Sequence, residues 1–148
     1  MHYKLITMDA MNIKFRNYTE DDYENLKYNL VASQQFDDIW DSKKQFQGMI
    51  DQDLNSIILA CDNKDRIIGS ICVVQYGGET AQLFRLNVIE EFRQQGIGSM
   101  LLERAEIYAK ERGFSEIALL AKSDKSNFYE KRGFEIFGDF TWMSKEIL

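Results

Sequence analysis

The sequence of 148 residues predicts one α/β (α+β) domain with a mixed, mostly antiparallel central sheet flanked by helices. Two observations predict this fold class. Apolar segments between residues 56 and 88 alternate with period two and are separated by short polar turns, as in an antiparallel meander. Beyond residue 97, segments with helical spacing alternate with strand-like segments, as in a β-α-β unit. A chain of this length buries roughly 68–70% of its unfolded surface, so residues 1–148 can share one core.

A strand and two helices are predicted at the start of the chain. Residues 12–17 alternate apolar and polar side chains, which indicates a strand. Thr19 and Asp22 have the spacing of a capping box and open a helix that runs towards Leu30. A second helix covers 43–52, where apolar side chains recur at helical spacing.

Three strands are predicted in the centre of the sequence. The segments 56–61 and 66–75 are rich in β-branched residues and are joined by a four-residue polar turn. A turn with two glycines leads into a central strand over 80–88. Simple alternation there places Leu83 and Arg85 on one face, and the other face carries Gln82, Phe84, Leu86 and Val88.

Helices and strands alternate in the predicted C-terminal part. The two helices end at Gly113 and Gly133, because glycine readily adopts the left-handed conformation of a C-terminal cap. In order, the elements are a helix over 98–112, a strand over 116–121, a short helix over 125–132, and an antiparallel pair formed by 134–137 and 141–147.

The composition excludes several catalytic classes. The only histidine is His2 at the chain terminus, so a Ser-His-Asp or Cys-His catalytic unit is not expected. Cys61 and Cys72 lie within apolar segments, where a free cysteine acts as a small buried hydrophobe. Because two cysteines do not complete a zinc site, we expect no metal.

Negative charge is concentrated in the first part of the chain. Residues 1–65 hold twelve Asp/Glu and seven Lys/Arg, a net charge of -5 out of -6 for the whole sequence. This balance repels nucleic acid and attracts a cationic small molecule, and a solvated acidic face is the alternative. The longest apolar stretch, 57–61, is far shorter than the ~20 residues of a membrane span. Because Asp9 interrupts any secretory signal, we expect a cytoplasmic protein with no membrane partner.

One segment contains residues suited to binding a ligand. Glycines at Gly96 and Gly98 open the helix over 98–112, and the first N–H groups of a helix bind anions when no side chain blocks them. Arg93 and Ser99 can add donors, as can Gln94 and Gln95. A P-loop needs a lysine after Gly98, and a dinucleotide fingerprint needs a third glycine, so neither motif is present. Alone, the two glycines could equally shape a turn.

The surrounding pattern resembles a known family. Arg93-x-x-Gly96-x-Gly98 follows Leu86-x-Val88, and Phe128-Tyr129-Glu130-Lys131-Arg132-Gly133-Phe134 lies downstream. Together they resemble the GNAT superfamily of acyl-CoA-dependent N-acetyltransferases, over nearly the whole chain. The resemblance implies that 1–148 form a single N-acetyltransferase domain with the GNAT-like fold, and that acetyl-CoA is the cosubstrate, without a metal.

By that resemblance, acetyl-CoA lies along the central strand and the glycine loop. Its pyrophosphate is held by the loop amides, and its pantetheine pairs with the strand edge at Leu86 and Val88, where the strands over 80–88 and 116–121 separate. Tyr129 matches the tyrosine that protonates the leaving thiolate. The implied cofactor-binding set is Leu86, Asn87, Val88, Arg93, Gln94, Gln95, Gly96, Ile97, Gly98, Ser99, Ser123 and Tyr129.

The general base is not fixed by the resemblance. The central strand has no carboxylate, so Glu79 is the first candidate, Asp124 is the second, and a water-mediated route is the third. Ser123 stands in the region where many relatives carry an asparagine.

These observations predict transfer of the acetyl group to a primary amine by direct attack in a ternary complex. The acceptor is a small-molecule amine or a peptide amine, and it enters past an acidic aromatic segment that could attract and stack on a cation. The alternatives are a non-catalytic CoA-binding or sensing domain of the same fold and a nucleotide-binding module. The resemblance also allows a homodimer. The acidic aromatic segment contains Asp37, Asp38, Trp40 and Asp41.

Overall fold

The structure is a computed structural model, and it describes residues 12–147. Within this range, five strands form one sheet in sequence order; the first three pairings are antiparallel and the last is parallel. This confirms the predicted fold class. The strands are β1 Lys14–Asn17, β2 Ile57–Cys61, β3 Ile67–Gly77, β4 Thr80–Val88 and β5 Glu116–Leu119.

Over residues 12–147, four α-helices connect or flank the strands. They are α1 Tyr23–Ala32, α2 Lys43–Gln52, α3 Ile97–Glu111 and α4 Ser126–Glu130. The predicted helix over 125–132 is therefore shorter, and a 3-10 turn at Ser123–Lys125 precedes it. Two further 3-10 turns, Glu20–Asp22 and Glu90–Phe92, precede α1 and follow β4.

Helices cover both faces of the sheet and enclose two core clusters. Leu26, Leu30 and Phe46, from α1 and α2, are buried against one face. Leu101 and Ala105, from α3, are buried against the other face. Both predicted core cysteines are confirmed as buried, with Cys61 and Cys72 each 1% exposed. Their burial raises the pKa of both thiols.

The predicted capping box, formed by Thr19 and Asp22, is confirmed and lies just before α1. The Asp22 carboxylate accepts the Thr19 N–H at 2.8 Å and forms a two-pronged ion pair with Arg16, with both N–O distances 2.8 Å. Burial alone raises the pKa of Asp22, but the hydrogen bonds from Arg16 and Thr19 outweigh burial and leave that pKa below its usual value. These bonds tie β1 to the start of α1.

The predicted antiparallel pair of 134–137 with 141–147 is wrong, because the structure has no strand after β5 up to residue 147. Three aromatic side chains of this segment pack on one another or on a distant residue instead, and Ile136, Met143 and Ile147 are exposed. Phe137 stacks on Phe140 with 6.0 Å between ring centroids, and Trp142 contacts Trp40 at 5.4 Å. Alternating side chains permit a strand but do not supply its partner.

Strands β3 and β4 and helix α3 approach one another closely at Gly69. A Cβ at Gly69 of β3 would lie 2.9 Å from the Asn87 carbonyl oxygen and 2.9 Å from Leu101 Cδ1. Only a glycine therefore lets β3, β4 and α3 meet at this separation.

Over residues 12–147, no helix is both long enough and apolar enough to span a bilayer. In the same range, His, Cys, Asp and Glu side chains nowhere form a group of three that could hold a metal. The expectations that involve His2 and Asp9 lie outside the described residues.

Candidate functional site

The parallel pairing between β4 and β5 covers only the first half of β4. The register runs from Thr80 opposite Glu116 to Leu83 opposite Leu119, and it ends there. Strand β4 continues to Val88. A wedge therefore opens beside the second half of β4, where no neighbouring strand is paired on this side.

Main-chain groups of Leu86 and Val88 face this wedge. The Arg85 carbonyl accepts the Ser70 hydroxyl of β3 at 3.2 Å, so the N–H on the other side of the trans peptide, that of Leu86, points away from β3. The N–H of Ile89 donates to the Ile68 carbonyl of β3 at 2.9 Å. The Val88 carbonyl, on the other side of that trans peptide, therefore points away from β3. That carbonyl accepts Arg93 Nε at 2.8 Å.

A β-bulge changes the faces of β4 from the simple alternation that the sequence predicts. Arg85 has φ +53°, and the register between β3 and β4 shifts between Ser70 and Cys72. Phe84 packs on the α1–α2 face, and Arg85 reaches Asp41 on that same face. The prediction that Arg85 shares a face with Leu83 is therefore wrong, because a bulge inserts an extra residue and breaks the period of two.

The loop before α3 forms an array of main-chain donors. Gln94 and Gly96 adopt left-handed conformations, with φ +62° and +84°. In the part of the chain that the structure describes, the N–H groups of residues 94–99 have no main-chain acceptor. Such an array at a helix start carries partial positive charge and suits an anion.

Gly98 lies where this loop meets the wedge. A Cβ built on it would be 3.7 Å from Phe128 Cζ and 3.8 Å from Val88 Cγ2, which are ordinary van der Waals separations. The protein itself therefore leaves room for a side chain at this position, and a glycine there keeps the space between β4 and α4 open.

Several predicted donors are engaged within the protein. Ser99 Oγ accepts Arg132 Nε at 2.9 Å, and Arg93 reaches Ser33 Oγ at 3.3 Å in addition to Val88. Gln95 donates to the Glu91 carbonyl at 3.4 Å. The loop thus offers mainly backbone N–H groups to a ligand.

Tyr129 lies on α4 beside the wedge. Its ring packs edge-on against Phe128 and Phe134, with centroids 5.0 and 5.7 Å away. Burial raises its pKa, and nearby Arg132 lowers it by a smaller amount, so the phenol stays protonated at neutral pH. Ser123, in the turn that leads to α4, lies on the segment that follows the end of β5.

Two predicted residues are not brought to this site. Glu79 precedes β4, seven residues from Leu86, which is roughly 23 Å along an extended strand. Its carbonyl accepts the N–H groups of Ser115 and Glu116, so it joins β4 to the start of β5. Asn87 is 3% exposed, and its side chain donates to Ser33 Oγ at 2.6 Å on the α1 face.

The acidic aromatic segment is only partly open to an incoming cation. Asp41 is 0% exposed, and both its carboxylate oxygens accept Arg85 Nε, at 2.8 and 3.0 Å. Asp37 caps its own turn by accepting the N–H groups of Ile39 and Trp40. The expectation that Asp41 attracts the amine is therefore wrong, because its charge is already paired.

Gln35 is a site residue that the sequence analysis missed. Its side-chain amide donates to the Leu86 carbonyl at 3.2 Å. Fifty-one positions separate the two residues, and no local pattern around Gln35 signals this contact. Only the packing of the turn after α1 against β4 brings them together.

Comparison with known proteins identifies the family. A profile of the acetyltransferase (GNAT) family matches residues 14–134. An uncharacterised N-acetyltransferase of Chlorobaculum tepidum is 35% identical over 74 residues, 50% of this chain and 46% of that protein. The protein YyaT of Bacillus subtilis is 30% identical over 59 residues, 40% of this chain and 40% of that protein. This chain spans less than half the length of these curated relatives.

Solved structures share the fold. A GNAT-family acetyltransferase from Staphylococcus aureus Mu50 superimposes with a TM-score of 0.74 at 22% identity, covering 87% of this chain and 89% of that one. The PaiA N-acetyltransferase from Thermoplasma acidophilum, solved with coenzyme A, gives 0.68 at 24% identity, covering 85% and 91%. Since the family profile covers most of the sequence, this chain belongs to the acetyltransferase (GNAT) family.

Proposed function

We propose that the protein transfers the acetyl group of acetyl-CoA to a primary amine by direct attack in a ternary complex. One observation carries the proposal: the unpaired edge of β4 leads into the array of free N–H groups before α3. An extended chain with amide groups can pair with the first feature, and a pyrophosphate can bind the second. Family membership supports the same assignment.

In this proposal the protein binds acetyl-CoA mainly through its backbone. The pantetheine pairs with Leu86 and Val88, and residues 94–99 donate N–H groups to the pyrophosphate. The Leu86 N–H, which faces the wedge, can donate to the thioester oxygen as negative charge develops on it. Arg93 would exchange its bond to the Val88 carbonyl for contacts with the cosubstrate.

Tyr129 is the proposed acid. The amine nitrogen forms a bond to the thioester carbon, the carbon–sulfur bond breaks, and the phenol protonates the departing thiolate. The raised pKa keeps that proton available. We propose water as the acceptor of the amine proton, because Glu79 precedes the start of β4, far from Leu86, and Asp124 is exposed. We further propose a cytoplasmic location and a homodimer.

A non-catalytic CoA-binding or sensing domain is the second candidate. It is favoured by β4, which carries no carboxylate to act as a base. In that case the same groove would bind the cosubstrate without turnover.

Two measurements test the proposal: the rise in melting temperature with acetyl-CoA, and thiol release across a panel of amines. We expect stabilisation and turnover on at least one amine. Stabilisation without any turnover would favour the sensing domain. A protein stabilised by ATP or NAD but not by acetyl-CoA would overturn the site.

A matched pair of glycine variants tests whether acetyl-CoA binds beside Gly98. Gly98→Ala adds a methyl group that the protein tolerates but a bound pantetheine or pyrophosphate does not, so we expect a smaller melting-temperature rise with acetyl-CoA. Gly48→Ala, in the exposed part of α2 with nothing within 4 Å, is the control. It should gain up to about 1 kcal/mol of stability and keep the full response to acetyl-CoA.

A further inference from the structure

Arg85 lies next to the proposed reaction centre but on the other face of the sheet. It precedes Leu86 in the bulge of β4, and its side chain reaches the α1–α2 face. The N–H array before α3 and the side chains of Leu86 and Val88 belong to the α3 face. A cosubstrate bound on the α3 face leaves the α1–α2 face as the approach for the acceptor.

The guanidinium of Arg85 is held in place at one end and free at the other. Its Nε donates to both oxygens of buried Asp41. Among residues 12–147, neither terminal nitrogen of Arg85 has a hydrogen-bond acceptor. The Arg85 side chain is 22% exposed. Four N–H donors therefore remain for a ligand, in the planar fork that matches an oxyanion.

Asp41 is suited to fixing this orientation. Its carboxylate is 0% exposed and also accepts the Asp37 N–H at 2.9 Å. Tyr23 donates to the Asp41 carbonyl at 2.9 Å. Because these bonds fix Asp41, its carboxylate in turn fixes the guanidinium of Arg85, so a ligand that binds the free nitrogens costs less entropy than one that binds an unsupported arginine.

One aromatic ring lies beside the guanidinium, and two further rings pack on that ring. The Trp40 ring lies 6.0 Å from the Arg85 guanidinium carbon, and it contacts Phe84 at 6.3 Å and Trp142 at 5.4 Å between centroids. Trp40 is 37% exposed and Trp142 is 59% exposed. The surface beside Arg85 therefore combines an apolar wall with charged donors.

We propose that Arg85 is a specificity-determining residue that binds an oxyanion, a carboxylate or a phosphate, carried by the acceptor amine. This inference rests on the proposed acetyl transfer. It names the acceptor class as amines with an anionic group, of which amino acids and amino-sugar phosphates are examples. The acidic N-terminal part suggests a purely cationic acceptor, but the buried ion pair of Asp41 presents the positive partner to the ligand instead.

Calorimetry on matched products tests this inference directly. With saturating CoA, N-acetyl-L-phenylalanine is compared with its uncharged carboxamide, and N-acetylglucosamine 6-phosphate with N-acetylglucosamine. We expect at least one anionic compound to bind about tenfold or more tightly than its neutral counterpart, as for a charge-assisted contact. The two pairs distinguish a carboxylate from a phosphate. If neither anion is preferred, the inference is overturned.

A double variant shows whether Arg85 causes the preference. Asp41→Asn with Arg85→Gln removes both charges together and leaves no buried charge unpaired. We expect the anionic and neutral compounds then to bind within about twofold of each other, with CoA affinity unchanged. A preference that persists in the folded double variant would overturn the role of Arg85. If this variant does not fold, the wild-type comparison alone decides.

The outcomes separate this inference from the proposed function. Acetyl transfer to polyamines or neutral amines, without a preference for anions, would overturn the role of Arg85 and leave acetyl transfer intact. Absence of CoA binding would overturn the proposed function, and the same product pairs would then be measured without CoA.

Discussion

Tyr129, the proposed acid, illustrates how the surroundings of one side chain suit it to such a role. Its ring is held between Phe128 and Phe134, which fixes the phenol direction. In the part of the chain described by the structure, no side chain or carbonyl accepts the Tyr129 hydroxyl proton, so no protein group competes with a thiolate for it. The same burial that holds the ring also raises its pKa.

Removal of this hydroxyl should separate binding from turnover. We expect Tyr129→Phe to bind acetyl-CoA as well as the wild type but to release thiol about 100-fold more slowly, as for loss of a general acid. Because burial raises the pKa of the wild-type phenol, its rate should fall only in alkaline solution beyond the usual phenol range.

Measured rates against pH check this expectation. In Tyr129→Phe the alkaline fall should disappear, since no phenol remains to lose its proton. Unchanged thiol release in this variant, with the alkaline fall retained, would remove Tyr129 from the acid role.

Among the elements, the bounds of α2 and β4 agree with the sequence-based prediction, and a local signal defines the start of each. Ser42 caps α2 by accepting the Gln45 N–H at 3.1 Å, and a glycine turn precedes β4. The segment 134–147 failed for the opposite reason: a strand there needs a long-range partner, which no local pattern specifies.

Because of the capping box before α1, the free energy of unfolding should depend on pH in acid solution. Asp22→Ala removes the bonds to Arg16 and Thr19, so we expect a loss of about 1–3 kcal/mol in the free energy of unfolding at pH 7. The folded pKa of Asp22 is lowered, so its contribution is present above the unfolded value of ~3.9 and disappears as pH falls through the folded pKa.

Denaturation of the two proteins at several pH values tests this linkage. The stability difference between wild type and Asp22→Ala should shrink below pH ~4. The neighbouring exposed carboxylate provides the control, since Asp21→Ala should change stability by at most about 0.5 kcal/mol. A constant difference from pH 7 to pH 2 would contradict the role assigned to Asp22.

Across the molecule, the sequence predicts the fold and the glycine loop before α3 but not the shape of the wedge. Strand order follows from period and turn chemistry. The bulge at Arg85 does not, because a left-handed arginine has no sequence signature. Gln35 and Asp41 reach β4 only through tertiary packing, so their contacts with Leu86 and Arg85 are visible only in the structure.

Gly69 lies where β3, β4 and α3 pack closely together. Gly69→Ala forces a methyl group to within 2.9 Å of both the Asn87 carbonyl oxygen and Leu101, so we expect a loss of about 1–3 kcal/mol in stability. Gly77→Ala, in the same strand with nothing within 4 Å, is the control and should be nearly neutral. Equal unfolding midpoints for the two variants would contradict this packing argument.

The burial of Cys61 and Cys72 has a practical consequence for enzymology. Both thiols are shielded from solvent and stay protonated well above neutral pH. In the proposed thiol-release assay, a disulfide reagent that detects free thiolates should therefore react with any CoA released and not with the folded protein. Thiol release can then be followed continuously, at high protein concentration if the reaction is slow. A rapid reaction of the reagent with Cys61 and Cys72 would indicate that the protein has unfolded.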